Sequence, residues 1–251
     1  MRKRLICIFA LVVALIAALA GLASADKPTV VQVGNLKLTL NGSFKPKALP
    51  KNKLAPITLS FNGSIETLDH SHLPALKEVV VDTDKNGSIN AKGVPVCTAG
   101  KLQAQTTDNA LKACKPALVG EGLTTAEVEF PEQKPIDVKS TLLAFNGGKK
   151  GATTTIYIHA FFSSPVNGAI VTTVKVSKEH NGRYGTKSIA SIPKIAGGFG
   201  SVKSFSLTFN KHKGYLLAKC PDGHLNAKAT SVFTDGSKLT GTFVRSCTPK
   251  G

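Results

Sequence analysis

Apolar and polar residues alternate one by one along much of this chain. In "LKLTL", Leu36, Leu38 and Leu40 share one face while Lys37 and Thr39 take the other. "ITLSF" repeats the pattern with Ile57, Leu59 and Phe61, and "SFSLTF" repeats it with Phe205, Leu207 and Phe209. Successive side chains of a β-strand point to opposite faces, so each stretch predicts a strand with one face in and one face out. "TIYIHAFF" is apolar on both faces, which predicts a central strand covered on both sides.

Asn-Gly recurs at Asn41, Asn62, Asn86, Asn146, Asn167 and Asn181, and Asp-Gly at Asp222 and Asp235. Both dipeptides tolerate positive φ and suit hairpin turns, so they read as turns between strands. "TTDNALKACK" is the one convincing helix, with Thr107 or Asp108 as its N-cap and good helix formers behind it. "KPKALPKNKLAP", from Lys45 to Pro56, reads as an exposed connection or an edge, because proline cannot donate to a sheet ladder. Many short strands with regular turn signals give the fold class: all-β, an antiparallel β-sandwich or barrel-like sheet with one short helix. No internal repeat and no flexible linker divides the chain, so residues 26–251 are expected to form one domain.

The N-terminus changes the compartment. Arg2, Lys3 and Arg4 precede an apolar run from Leu5 to Leu22, and "ASA" follows at Ala23–Ala25. That order matches a secretory signal peptide over residues 1–25, with an uncleaved anchor as the alternative. No later stretch is long and apolar enough to span a bilayer, so no membrane span is expected after cleavage. Cys7 leaves with the signal, and Cys97, Cys114, Cys220 and Cys247 remain. An even number in an exported chain reads as two disulfides. Local closure favours Cys97–Cys114 and Cys220–Cys247. No CxxC or HxxxH spacing points to a metal instead.

The whole chain carries a formal charge of +17, which falls to +14 without the three basic residues at positions 2–4. Nearly all of it is lysine, since Arg183 and Arg245 are the only arginines past residue 25. Lysine is a point charge, whereas arginine reads phosphates and base edges bidentately. There is no Trp, and Tyr157, Tyr184 and Tyr215 are the only tyrosines, so stacking platforms are scarce. Sequence-specific nucleic-acid binding is therefore not expected. The charge reads either as a solvated, aggregation-resistant surface or as attraction to an anionic cell-wall polymer, met by lysines that include Lys45, Lys47, Lys51 and Lys53.

"DTDKNGSIN" resembles the front of a calcium loop. Asp82, Asp84 and Asn86 fall at positions one, three and five, and Gly87 at six. Position twelve is Gly93, where a bidentate Glu is needed, and the flanks are β-branched or carry proline. The expectation is a hairpin, "EVVVDTD" against "SINAK", turning at Asn86–Gly87. A calcium site on Asp82, Asp84 and Asn86, completed by ligands elsewhere, is the alternative. "LDHSH" brings Asp69, His70 and His72 together on an expected loop, and His159 is expected to be a hydrogen-bonded core residue.

Catalytic signals are absent. There is no GxSxG elbow and no HExxH helix. Glu127 and Glu129 share a strand face opposite Val128 and Phe130, as on an ordinary solvent-facing strand. "AGGFGSVK", from Ala196 to Lys203, lacks the full phosphate-loop pattern and reads as a tight corner between strands. No cofactor is expected.

Several phrases carry a resemblance: "LPKNKLAPITLSFNG", "GVPVC…ACKPALVGEG", "NGRYGTKSIASIPKIAGGFGSV…LLAKCPDG" and "FTDGSKLTGTFVRSCT". Together they resemble a family of exported actinobacterial proteins without assigned activity, over most of the chain past residue 25. The resemblance implies a secreted or surface protein and supplies no functional residues. The expected function is thus a non-catalytic extracellular or cell-envelope protein for binding or structure. The alternatives are a secreted hydrolase with a dispersed site and a calcium-dependent adhesion module.

Overall fold

The computed structural model describes residues 27–165 and 167–251. The signal segment expected at residues 1–25 lies outside them. The first third of the chain gives β1 (Thr29–Val33), β2 (Leu36–Lys45), β3 (Ala48–Pro50), β4 (Ala55–Pro56), β5 (Thr58–Thr67), β6 (Leu76–Asp84) and β7 (Gly87–Ile89). A helix follows, α1 (Thr107–Cys114). Then come β8 (Leu118–Val128), β9 (Ile136–Lys150), β10 (Thr153–Phe162), β11 (Gly168–Asn181) and β12 (Tyr184–Ser191). The chain ends with β13 (Gly200–Phe209), β14 (Leu216–Ala218), β15 (His224–Phe233), β16 (Lys238–Ser246) and β17 (Thr248–Lys250).

Twelve strands form one antiparallel sheet in the order β1-β2-β5-β13-β8-β9-β10-β11-β12-β6-β15-β16. The sheet curls until its edges meet. Thr29 Oγ1 donates to the Thr242 carbonyl at 3.1 Å, and a Cβ on Gly241 would lie 3.2 Å from methyls of both Thr29 and Val31. A side chain at 241 would wedge this seam open. The result is barrel-like, and the expected alternation sets its inner face. Leu36, Leu38, Leu40, Ile65, Leu207 and Leu239 are all buried and point inward.

Every neighbouring pair is antiparallel, so each connection falls at one of two ends. The lower end holds the long ones, residues 46–57, 85–117 and 210–223, together with β17. Here β14 pairs with both β4 and β7, and β17 runs parallel to β3. The disulfide Cys220–Cys247 fixes this floor, beside buried Phe44, Leu49 and Ala218. Both disulfides form as the cysteine spacing leads one to expect. The upper end carries shorter connections, two of which, residues 68–75 and 192–199, cross between distant strands and bury Leu73 and Ile195.

Residues 97–117 leave the floor and lie against the outside of β9 and β10. Cys97–Cys114 closes this flap, and Leu102, Ala110 and Ala117 pack on Leu143 and Phe145. The flap is what covers the second apolar face of "TIYIHAFF". Thr106 caps α1 by accepting from the Asn109 N–H, so the cap sits one residue ahead of Thr107.

Two expectations need correction. Three Asn-Gly pairs do not turn. Asn41–Gly42 and Asn62–Gly63 lie inside β2 and β5, with Asn41 and Asn62 in register, and Asn146–Gly147 lies inside β9. At Gly63 the reason is packing, since a Cβ would come 2.7 Å from Leu40 Cδ2 and 2.9 Å from the Phe205 ring. Nor does the "EVVVDTD"/"SINAK" hairpin form. β6 pairs with β12 and β15, while β7 crosses to β14 in the floor. The competing bonds are long-range: Lys85 N–H donates to the Arg183 carbonyl, and Lys219 N–H to that of Asn86.

His159 is fully buried under the flap, where Nε2 donates to the Gln105 carbonyl at 2.9 Å. Its Nδ1 has no partner. Burial pushes the imidazole below its usual value near 6.5, and the Gln105 bond offsets this only in part. The folded state therefore binds fewer protons than the unfolded chain. The stabilisation is present above pH 6.5 and is lost as pH falls through the lowered folded value. Protection factors at residues 99–117, which correct for the slower intrinsic exchange at lower pH, should fall between pH 7 and pH 5, and His159→Gln, which keeps a donor for Gln105, should reduce that dependence.

Candidate functional site

The inward faces of the twelve strands do not meet. They enclose a lumen of about 450 Å³. Ile57, Leu59 and Phe61 of the β5 segment line one side, and Val79, Val81 and Ile158 line others. These side chains point inward yet keep accessible surface, because they face a void rather than a partner. The walls are otherwise Leu, Ile, Val, Phe and Ala, with scattered Ser and Thr and with Asn41, Asn62 and Asn226.

The floor is sealed by the small sheet. Leu216, Ala218 and Ile89 reach the lumen from below. Tyr215 is buried beneath them, with its hydroxyl 3.5 Å from Asn146 Oδ1, and burial pushes its phenol well above the usual value. Asn146 Nδ2 donates to the carbonyls of Val94 and Pro95, so a buried amide ties the incoming chain to β9. Asp84 and Arg245 are the charged residues among those lining the lumen. Arg245 donates to the carbonyls of Gly42 and Val244 and to Asn41 Oδ1. At the upper end a second cavity of about 180 Å³ adjoins the lumen, sharing Phe162, Ile170 and Ile195 with it.

The structure assigns the calcium-loop residues to ion pairs. Asp82 points outward from β6, in register with Lys187 on one side and Lys228 on the other. Its Oδ2 lies 2.7 Å from Lys228 Nζ, and Lys187 reaches Glu179 at 3.1 Å. Negative and positive side chains thus alternate across four neighbouring strands, an arrangement in which each cross-strand pair attracts. Asp84 Oδ2 accepts from Arg183 Nε at 2.7 Å and from the Asn226 N–H at 3.0 Å, and its Oδ1 accepts from the Asn86 N–H. The Asn86 side chain is buried. Three of the four carboxylate oxygens are thus engaged, while Asp82 Oδ1 is buried without a hydrogen-bond partner.

At the upper rim, side-chain hydrogen bonds from Ser71 and Asn35 hold the Asp69 carboxyl down to about 2. They tie two loops together. His72 Nδ1 lies 3.0 Å from both Glu127 Oε1 and Glu129 Oε2, and Lys203 bridges Glu127 to Asp137. The two glutamates are therefore partnered rather than simply solvated, and His72 is separated from them by more than fifty residues of sequence, which hid the contact. His70 is exposed and stands apart from the cluster. Lys45, Lys51 and Lys53 are exposed at the lower end, and Lys47 lies over the Phe44 ring. The void itself was not visible as a motif. Its one sequence signal is the number of alternating segments, too many for a small filled barrel.

No family model, curated protein or solved structure matches the chain. Among the described residues no helix is long and apolar enough to cross a membrane, and no group of three or more His, Cys, Asp or Glu side chains forms a metal-holding cluster.

Removing the Asp84 carboxylate leaves a charged partner and two backbone donors without their acceptor. Asp84→Ala should lower the unfolding free energy in urea by about 3 kcal/mol. Calcium and chelator should leave the wild-type midpoint alike, and a calcium-dependent rise would return Asp82 and Asp84 to the role of ligands.

Proposed function

We propose that this chain is an exported, non-catalytic binding protein that holds an apolar molecule in the lumen of its barrel. The apolar void of about 450 Å³ carries the reading. Protein interiors are close-packed, with few voids larger than a water molecule. At the cost found for small core cavities, an empty space of this size is worth on the order of 10 kcal/mol. That is comparable to the net stability of a whole domain. Water is a poor filler, because it needs two to four polar partners and the walls offer few. An apolar ligand removes the cost, and the volume falls in the range of small-molecule sites.

Export rests on the signal segment at residues 1–25, and the two disulfides fit an oxidising compartment. A hydrolase would need acid–base groups converging on the cavity. Among the residues lining the lumen, Asp84 and Arg245 are already engaged with protein partners. The neutral fluorophore N-phenyl-1-naphthylamine tests the reading. It should brighten on binding the oxidised protein and raise its melting midpoint, since a ligand that prefers the native state stabilises it. Ala160→Phe with Ala229→Phe places two rings in the lumen. That variant should fold and lose the signal. Equal binding by the filled variant would place the dye elsewhere and sink the proposal.

A second partner is favoured by the grouping of Lys45, Lys51 and Lys53 at the closed end. The Lys51 N–H donates to the Lys250 carbonyl, which brings a further lysine beside them. Anionic wall polymer is the chemistry this end would attract, and the attraction should weaken with salt. Co-sedimentation with purified teichoic acid should fall steeply between low and physiological ionic strength. It should also fall when Lys45, Lys51 and Lys53 are changed to Gln, and salt-independent retention would argue for another basis.

A further inference from the structure

We infer that the lumen opens at the upper end, between Pro165 and the Lys194–Gly197 turn, and that it admits an amphiphile with one apolar chain and an anionic head, which stays at the mouth beside Lys194. This rests on the reading of the lumen as a ligand site. Three observations point the same way.

The two ends of the barrel are built differently. The floor is shut by β4, β7 and β14 and stapled by Cys220–Cys247. The upper end has lighter cover, residues 68–75 and 192–199, which cross between distant strands and bury Leu73 and Ile195. The 180 Å³ cavity lies at that end and shares Phe162, Ile170 and Ile195 with the lumen as a common wall. Its outer wall is Ser164, Pro165, Lys194, Ala196 and Gly197, so the path runs from an apolar interior to a polar, exposed rim.

Lys194 is the one charged side chain lining this cavity, and no carboxylate among the described residues pairs with it. Elsewhere on the rim, Lys203 is held by Asp137 and Glu127. A cation placed alone at the water end of an apolar channel suits an anion whose other end is apolar. A charged head would not follow its chain inward, because burying an unpaired charge is far costlier than leaving it hydrated. The lumen also limits the chain count. At roughly 30 Å³ per water-sized group it holds on the order of fifteen methylenes, enough for one acyl chain.

The test is displacement of N-phenyl-1-naphthylamine from the oxidised protein by hexadecanoate, hexadecanol and hexadecyltrimethylammonium. Hexadecanoate should displace the dye at a concentration about threefold or more below that of the cationic amphiphile, as for an exposed charge pair. Lys194→Glu should abolish that preference and leave displacement by hexadecanol unchanged. A preference that survives Lys194→Glu overturns the placing of the head group, while dye binding still supports the lumen as a site. No dye binding by the wild type removes the lumen reading, and this inference with it. The mouth is tested separately by stopped-flow uptake. A Cβ at Gly168, which lines the upper cavity, meets nothing within 4 Å, so Gly168→Phe can partly fill the opening without a clash at its base. It should slow dye uptake at an unchanged melting midpoint, whereas Gly42→Leu near the floor should not. The reverse result would move the opening to the other end.

Discussion

The width of a closed antiparallel sheet grows with its number of strands, while the side chains that must fill it stay the same size. Eight strands leave an interior that side chains can occupy or that holds one small ligand, and sixteen or more leave a channel. This barrel has twelve. Most of its inward residues are ordinary Leu, Ile, Val, Phe and Ala, and they leave a lumen between them. The void and the accessible surface on inward side chains both follow from that mismatch. Nothing in the chemistry of any single residue produces it.

The same constraint explains where the chain places its extra material. A wide barrel has wide ends, and short hairpin turns do not cover them. At the lower end the chain uses long connections, a three-stranded sheet and a disulfide to build a floor. Asn146, Tyr215 and the Asp84–Arg183 pair anchor that floor to the wall through buried polar bonds, which are costly to break once water is excluded. At the upper end two shorter segments, residues 68–75 and 192–199, cross between distant strands without a small sheet or a disulfide. The asymmetry between a reinforced end and a lightly closed one turns a void into a vessel with a direction.

The strands were legible in the sequence because each depends on local alternation. Leu36, Leu38 and Leu40, or Phe205, Leu207 and Phe209, announce their inner face without any knowledge of neighbours. The disulfides were legible for a similar reason, since each closes a local segment. What could not be read was which strands pair. β13 joins β5 and β8, and β6 joins β12 and β15, across separations that local patterning does not encode. That is why Asn62–Gly63 looked like a turn and is a place where Phe205 crosses a strand. It is also why the ion pairing of Asp82 was hidden. Its lysine partners, Lys187 and Lys228, lie more than a hundred residues away. The lumen is further removed still, because its size is a property of the whole ring.

The seam between β1 and β16 has a kinetic meaning. It joins residues 29–33 to residues 238–246, so the first strand of the described chain must wait for nearly the last. Contacts of such long sequence separation cost chain entropy before they return any stabilisation, and folds dominated by them form slowly. Until Gly241 settles against Thr29 and Val31, the ring is an open sheet whose two edges are unpaired and whose apolar face is uncovered. Such edges invite pairing with other chains. For a chain that emerges from its N-terminus, the interval before closure is the period of greatest exposure to aggregation, and the final strands end it.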